Sequence, residues 1–231
     1  MGFDWYYLVL VVPAMLLALW AQFKVNSTFR RYAQVPSLRQ LTGAQAAETV
    51  LRQNGVTGVR IERVSGNLTD HYDPRQNVIR LSDGVYGSTS CAAIGVAAHE
   101  AGHAVQYAQE YTPIKVRQAI IPVTRIGSMM SWPLLIIGLV LSSGILIDIG
   151  LLLFSAVTLF QLVTLPVEFN ASSRALKALE EGHLLTDEEL VGAKRTLSAA
   201  AMTYVAALAV SLAQLLRLIL LFGNRGSNRR R

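Results

Sequence analysis

Between Ile126 and Val167 the only charged side chain is Asp148, in a run about twice the roughly 20 residues that one helix needs to cross a bilayer. Backbone groups in hydrocarbon must satisfy one another, so a run of this kind folds as paired helices. A hairpin of two spans is therefore expected over 126–167. Its turn is expected at Asp148, Ile149 and Gly150, because a carboxylate at mid-bilayer would cost about 2.5–3.5 kcal/mol, whereas at the interface it costs little. A first uncharged run covers 5–23, and Pro13 inside it should kink a helix there. Asp4 before the run and Lys24 after it argue for a retained anchor instead of a cleaved signal peptide. A last run covers 199–222, interrupted by Tyr204, Gln214 and Arg217, and Arg217 is expected to snorkel toward an interface.

Composition agrees with this placement. Hydrophobic residues make up 52% of the 231 and charged residues 16%, against about 25% charged in an ordinary soluble domain. Disordered, collagen-like and simple water-soluble classes are excluded. The net charge of +6 could suggest nucleic acid, but the basic residues flank apolar runs and no aromatic-interleaved basic stretch occurs, so the expected partner is the lipid bilayer and no nucleic acid. The single cysteine, Cys91, excludes an internal disulfide framework and a zinc site of several thiolates. Lys24, Arg30, Arg31 and Arg39 follow the first span and no basic residue precedes it, so the segment after it should face the cytoplasm. A fourth full span would then carry the basic tail at 223–231 to the other side, against that bias.

Outside lipid the chain leaves a main stretch at 24–125 and a smaller helical one at 168–198. A helix is expected from Thr42 through Gln53, ended by Asn54-Gly55. Strands are expected around Val59, Ile61 and Val64, and over Val78 to Leu81 after the Asp73-Pro74 turn. Ser88, Thr89 and Ser90 can cap a proline-free, alanine-rich helix over about 90–109.

That helix contains His99-Glu100-Ala101-Gly102-His103. Histidines four apart project from one helical face and can converge on a single cation, while Glu100 on the adjoining flank can reach a water beside the metal without ligating it. Chance predicts only about 0.003 such spaced trios for 4 histidines in this chain, which favours a zinc site over two ordinary half-buried histidines. Gly102 is a poor helix former, and close approach of a neighbouring backbone is the expected reason for it.

A catalytic zinc takes three protein ligands and keeps one position open. His71, His183, Glu110, Asp148 and Glu168 are the candidates for the third. His71 and His183 read as loop residues, Glu110 as a solvated helix end, and Asp148 as a residue of the opposite interface. Glu168 follows the apolar hairpin and Pro166, at the expected start of a helix over Phe169 to Glu181, where an acid beside lipid needs a partner.

The stretch Ala98-His99-Glu100-Ala101-Gly102-His103-Ala104-Val105-Gln106, followed after the hairpin by Val167-Glu168-Phe169-Asn170-Ala171-Ser172, resembles the YugP-type membrane zinc metallopeptidases across nearly the whole chain. It is more distantly similar to HtpX-type and CAAX prenyl proteases. The resemblance implies a mainly α membrane protein with about four transmembrane helices and a small α+β zincin-like catalytic domain. It implies one Zn2+ per chain held by His99, His103 and Glu168, the gluzincin-like arrangement, with Glu100 as catalytic base. It also implies hydrolysis of polypeptide substrates near the membrane, in the inner membrane of a bacterial cell. The distant relatives place an aspartate where this chain has Ser172, and the closer family often has an acid at the position of Asn170, so the group that orients a ligand histidine is unassigned. Tyr204 or His71 could serve as a second electrophile. An extended substrate could add to the strand at Val78 to Leu81. The rival reading is a zinc-stabilised membrane scaffold or adaptor without turnover. A transporter is disfavoured by the lack of paired intramembrane acids.

Overall fold

A computed structural model describes residues 4–222, and the basic tail at 223–231 lies outside the described residues. The fold is mainly α with a small α+β region. A π-helical turn at Tyr7–Val11 leads into α1 (Val12–Tyr32), followed by α2 (Gly43–Gln53), β1 (Arg60–Val64), β2 (His71–Asp73), β3 (Val78–Ser82), α3 (Asp83–Tyr86), α4 (Cys91–Ala108), α5 (Thr112–Val140), α6 (Gly144–Glu181) and α7 (Asp187–Phe222). Among the described residues, four helices are long and apolar enough to cross a membrane: Tyr7–Tyr32, Thr112–Val140, Gly144–Glu181 and Asp187–Phe222. The π turn sits directly before Pro13, whose missing N–H and bulky ring make an α-helical register unfavourable at that point.

The chain divides into two compact units. The first comprises the described parts of Met1–Ala21, Lys115–Leu165 and Thr203–Arg231. Its hairpin turns at 141–143, earlier than the expected Asp148-Ile149-Gly150. Ser142 takes a left-handed φ of 52°, Ser143 N–H donates to Gly138 O at 2.8 Å and Ser142 N–H to Leu139 O at 3.2 Å. These two bonds close α5 with a Schellman cap built on serines. Gly150 serves packing instead, since a Cβ there would lie 2.8 Å from Leu135 Cγ and 3.1 Å from Ser131 O. Arg217 does not simply snorkel. Its Nε and Nη2 donate to Asp4 Oδ2 at 2.8 and 2.5 Å, and its guanidinium lies 5.3 Å from the Tyr7 ring centre. The pair brings the last turns of α7 beside the residues that precede α1.

The second unit comprises Gln22–Ile114 and Pro166–Met202. A capping box starts α2: Thr42 Oγ1 accepts from Gln45 N–H while Gln45 Oε1 accepts from Thr42 N–H. The sheet order is β1-β3-β2, with β1 parallel and β2 antiparallel to β3. Val78–Ser82 is thus the central strand with both edges paired, and the expectation that Val78 to Leu81 offers an open edge is wrong. The missed strand is His71–Asp73, read from sequence as a loop because it is only three residues long and ends at Asp73-Pro74. Asp70 and Asp73 hold it. Asp70 accepts from Ser82 N–H and Oγ at 2.7 and 2.9 Å, and Asp73 accepts from Arg75 N–H at 2.9 Å to close the turn.

The core of this unit gathers Val50 and Leu51 of α2, Ile79 and Leu81 of β3, Ala97 and Ala101 of α4, Leu179 of α6 and Leu197 of α7. Being surrounded, α4 is buried along most of its length, which explains its alanine content: only small side chains admit neighbours on every side. At Gly102 the approach is backbone to backbone, since a Cβ would lie 2.6 Å from Ala171 O of α6. This is the close contact expected of that glycine. Pro166 lies inside α6, which does not begin anew there, so Glu168 is an interior helical residue and not a helix N-terminal acid.

Gly102→Ala should lower thermal stability in detergent by about 1–3 kcal/mol through overpacking, against the roughly 1 kcal/mol gain that helix propensity alone would give. Gly84→Ala, where a Cβ meets nothing within 4 Å, serves as the control and should leave the melting temperature nearly unchanged. Equal melting temperatures for both variants would contradict the close contact.

Candidate metal centre

The local sequence builds α4 firmly around the histidine pair. Ser90 Oγ accepts from Ala93 N–H at 3.2 Å, and no proline or β-branched run interrupts the following turns. One helical turn separates His99 from His103, so both imidazoles leave the same face, their ring centroids 4.7 Å apart and their planes at 82°. From α6, Glu168 reaches the same point. Its Oε2 lies 3.3 Å from His99 Nε2 and 3.5 Å from His103 Nε2. Glu168 is 2% exposed, so its carboxylate has left water almost completely for this neighbourhood.

The donor set fits a zinc ion. Ligands about 2.0–2.1 Å from a tetrahedral centre stand roughly 3.3–3.4 Å from one another, close to the separations seen here. The ligand atoms of His99, His103 and Glu168 all lie within 4.8 Å of one another, and this is the metal-competent His/Cys/Asp/Glu group found among the described residues. Two nitrogens and one oxygen, with no thiolate, leave room for a fourth ligand.

The far side of each imidazole is also engaged. His99 Nδ1 lies 3.1 Å from Ser172 Oγ, and His103 Nδ1 lies 3.0 Å from Gln106 Oε1. Burial alone would favour the neutral His103 ring. The hydrogen bond to Glu168, the charges of Glu100 and Glu168 and the bond to Gln106 outweigh it, so without a metal His103 holds its proton above the ordinary histidine value. Glu100 is itself nearly buried, at 8% exposure, on the flank of α4 next to the pair.

The other residues weighed for the third ligand stand elsewhere. His71 is exposed on β2 with Nδ1 held 2.8 Å from Thr69 O. His183 and Glu110 occupy left-handed positions directly after α6 and near the end of α4, with φ of 49° and 52°. Asp148 is exposed in the early turns of α6, in the other unit, and Tyr204 of α7 also belongs to that unit. Sequence reading missed Gln106 and Ser172 as imidazole partners. The available signals were spacing: Gln106 follows His103 by three residues, and Ser172 follows Glu168 by four, each on the same helical face.

Comparison with known proteins agrees with this geometry. The family described as "Putative neutral zinc metallopeptidase" matches residues 7–223. The chain is 46% identical over 218 residues to the "Putative membrane protease YugP" of Bacillus subtilis (strain 168), covering 94% of this chain and 97% of that protein. No solved structure matches the chain. With nearly its whole length matched, from the first apolar helix past the last, the chain belongs to the neutral zinc metallopeptidase family.

Proposed function

We propose that this protein is a membrane-integral, zinc-dependent endopeptidase of gluzincin type, acting on extended polypeptides at the membrane surface. The observation that carries the reading is the buried Glu168 carboxylate facing both histidine Nε2 atoms across a helix-to-helix contact. An acid in such a place is costly unless a cation meets it, and the pattern His99-Glu100-Ala101-Gly102-His103 supplies the remaining donors. His99, His103 and Glu168 hold one Zn2+ in this reading. The ion, when bound, supplies Lewis-acid activation of a water and polarisation of the scissile carbonyl.

The chain's own residues supply the rest. Glu100, one residue beyond His99 and outside the ligand set, accepts the proton of the attacking water and returns it to the departing amine. Burial of Glu100 keeps its carboxylate out of bulk water, where proton transfer would be shared with solvent. With β3 interior to the sheet, an extended substrate is assigned to β2. That strand is an edge, and its Tyr72 ring packs edge-on against Tyr107 of α4, with centroids 5.4 Å apart.

The protein is proposed to reside in a bacterial inner membrane with its catalytic region in the cytoplasm. The excess of Lys24, Arg30, Arg31 and Arg39 after the first span supports this side. The Asp4 to Arg217 pair supports a complete fourth crossing, since it joins the beginning of the first span to the end of the last. A reporter fused behind Phe222 should therefore be accessible from outside the cell, and one inserted at the exposed Leu38 from the cytoplasm; both on one side would contradict the arrangement.

Glu100→Gln should retain zinc and lose hydrolysis of an unfolded polypeptide by about a hundred-fold to ten-thousand-fold or more, because the base is removed and the ligands are kept. Unchanged proteolysis by the pure variant would refute the assigned base. Loss of zinc together with activity would place Glu100 among the ligands instead. A wild-type protein that binds zinc and cleaves nothing is the outcome a scaffold would give.

A further inference from the structure

Gln106 is completely buried, and every polar atom of its side chain is spoken for. Its Nε2 donates to Val167 O at 2.8 Å and to Asn170 Oδ1 at 2.9 Å, and its Oε1 faces His103 Nδ1 at 3.0 Å. The orientation of this amide is forced from both directions. A backbone carbonyl only accepts, so the atom beside Val167 O must be nitrogen. Arg174 only donates, and its Nε lies 2.7 Å from Asn170 Oδ1, so the Asn170 atom shared with Gln106 must be oxygen. Arg174 is in turn held by a hydrogen bond to Gln109 Oε1 and lies over the Tyr111 ring, its Cζ 5.8 Å from the centroid.

Gln106 Oε1 is then the atom left for the histidine. An amide oxygen cannot donate, so His103 Nδ1 must carry a hydrogen. In the neutral ring the lone pair accordingly sits on Nε2, the atom aimed at Glu168. His99 has no such instruction, because the Ser172 hydroxyl can donate or accept. The same glutamine also binds the carbonyl of Val167, the residue directly before Glu168, and so anchors the backbone that carries the carboxylate.

We propose that Gln106 is a positioning residue: it fixes the metal-ready tautomer of His103 and, through Val167, sets the place of Glu168, with Asn170 and Arg174 locking its amide. The inference rests on the metal-centre reading above and adds to it the device that orders two of the three ligands. A purely structural role would make Gln106 only a tie between α4 and α6. The two roles separate in variants. Gln106→Leu keeps the volume and removes both the tie and the acceptor, whereas Gln106→Glu keeps the acceptor for His103 Nδ1–H while setting a carboxylate oxygen against Val167 O.

The experiment measures zinc affinity by competition with a chelator for the full-length protein in detergent, together with long-range 15N–1H correlation of the histidine rings in the zinc-loaded wild type. Gln106→Leu should bind zinc about ten- to a hundred-fold more weakly, the range seen when the partner of a ligand histidine is removed. Gln106→Glu, which restores the acceptor but not the tie to Val167, should recover part of that loss. The His103 ring should show its hydrogen on Nδ1 in the wild type, a readout that requires no variant to fold. Wild-type affinity in Gln106→Leu, affinity in Gln106→Glu as poor as in Gln106→Leu, or a bare Nδ1 in wild-type His103 would each overturn the proposal while leaving a zinc-binding wild type intact. A wild type that binds no zinc at all would overturn the metal-centre reading and this inference with it.

Discussion

A carboxylate with almost no exposure stands against two imidazoles at the contact of α4 with α6, and most of the second unit follows from keeping it there. Taking one ion from water costs several kcal/mol even after relaxation, so the fold must supply compensation at short range. It does so through two helices that meet closely enough for donors on both to share one point. The space left open at Gly102 by the absence of a Cβ is what permits that approach, and the small side chains along α4 extend it to the helix's other neighbours. Packing and the proposed chemistry are therefore the same problem here: widening the helix contact would pull Glu168 away from the two imidazoles.

The two imidazoles are held by neutral partners, a serine hydroxyl and a glutamine amide, where a carboxylate is a common choice in metal sites. A neutral partner raises ligand basicity less than a carboxylate does, and leaves the single negative charge of the ligand set on Glu168. Of the three residues facing one another, the charge thus sits on the one most fully buried. Under the proposed function, a divalent ion held there would keep more net positive charge than in a site with acidic partners, which would favour activation of a water.

Much of this was legible before any coordinates. The apolar runs located the four long helices among the described residues, since a continuous apolar segment of about 20 residues satisfies its own hydrogen bonds in lipid as a helix. The four-residue spacing of His99 and His103 fixed their common face, and the costliness of an acid next to lipid singled out Glu168. The misreadings share a cause: a residue with two uses was assigned the commoner one. Gly150 was read as a turn and is a packing residue. Pro166 was read as a helix start and lies within a continuous helix, as proline can where neighbours compensate. His71 to Asp73 reads as a loop but forms a short strand that pairs across the expected Asp73-Pro74 turn and takes the sheet edge from Val78–Ser82. Spacing alone puts Gln106 on the face of His103, but an amide's role also depends on which way it is turned, and that is set by Val167 and Asn170, far away in the chain.

The most direct test is the zinc content of the purified full-length protein beside that of Glu168→Ala, by elemental analysis after removal of loosely held metal. The account predicts one zinc per chain in the wild type and a marked loss in the variant, because His99 and His103 alone leave the ion without its third protein ligand and without the charge that balances it. Stoichiometric zinc retained by Glu168→Ala would contradict it.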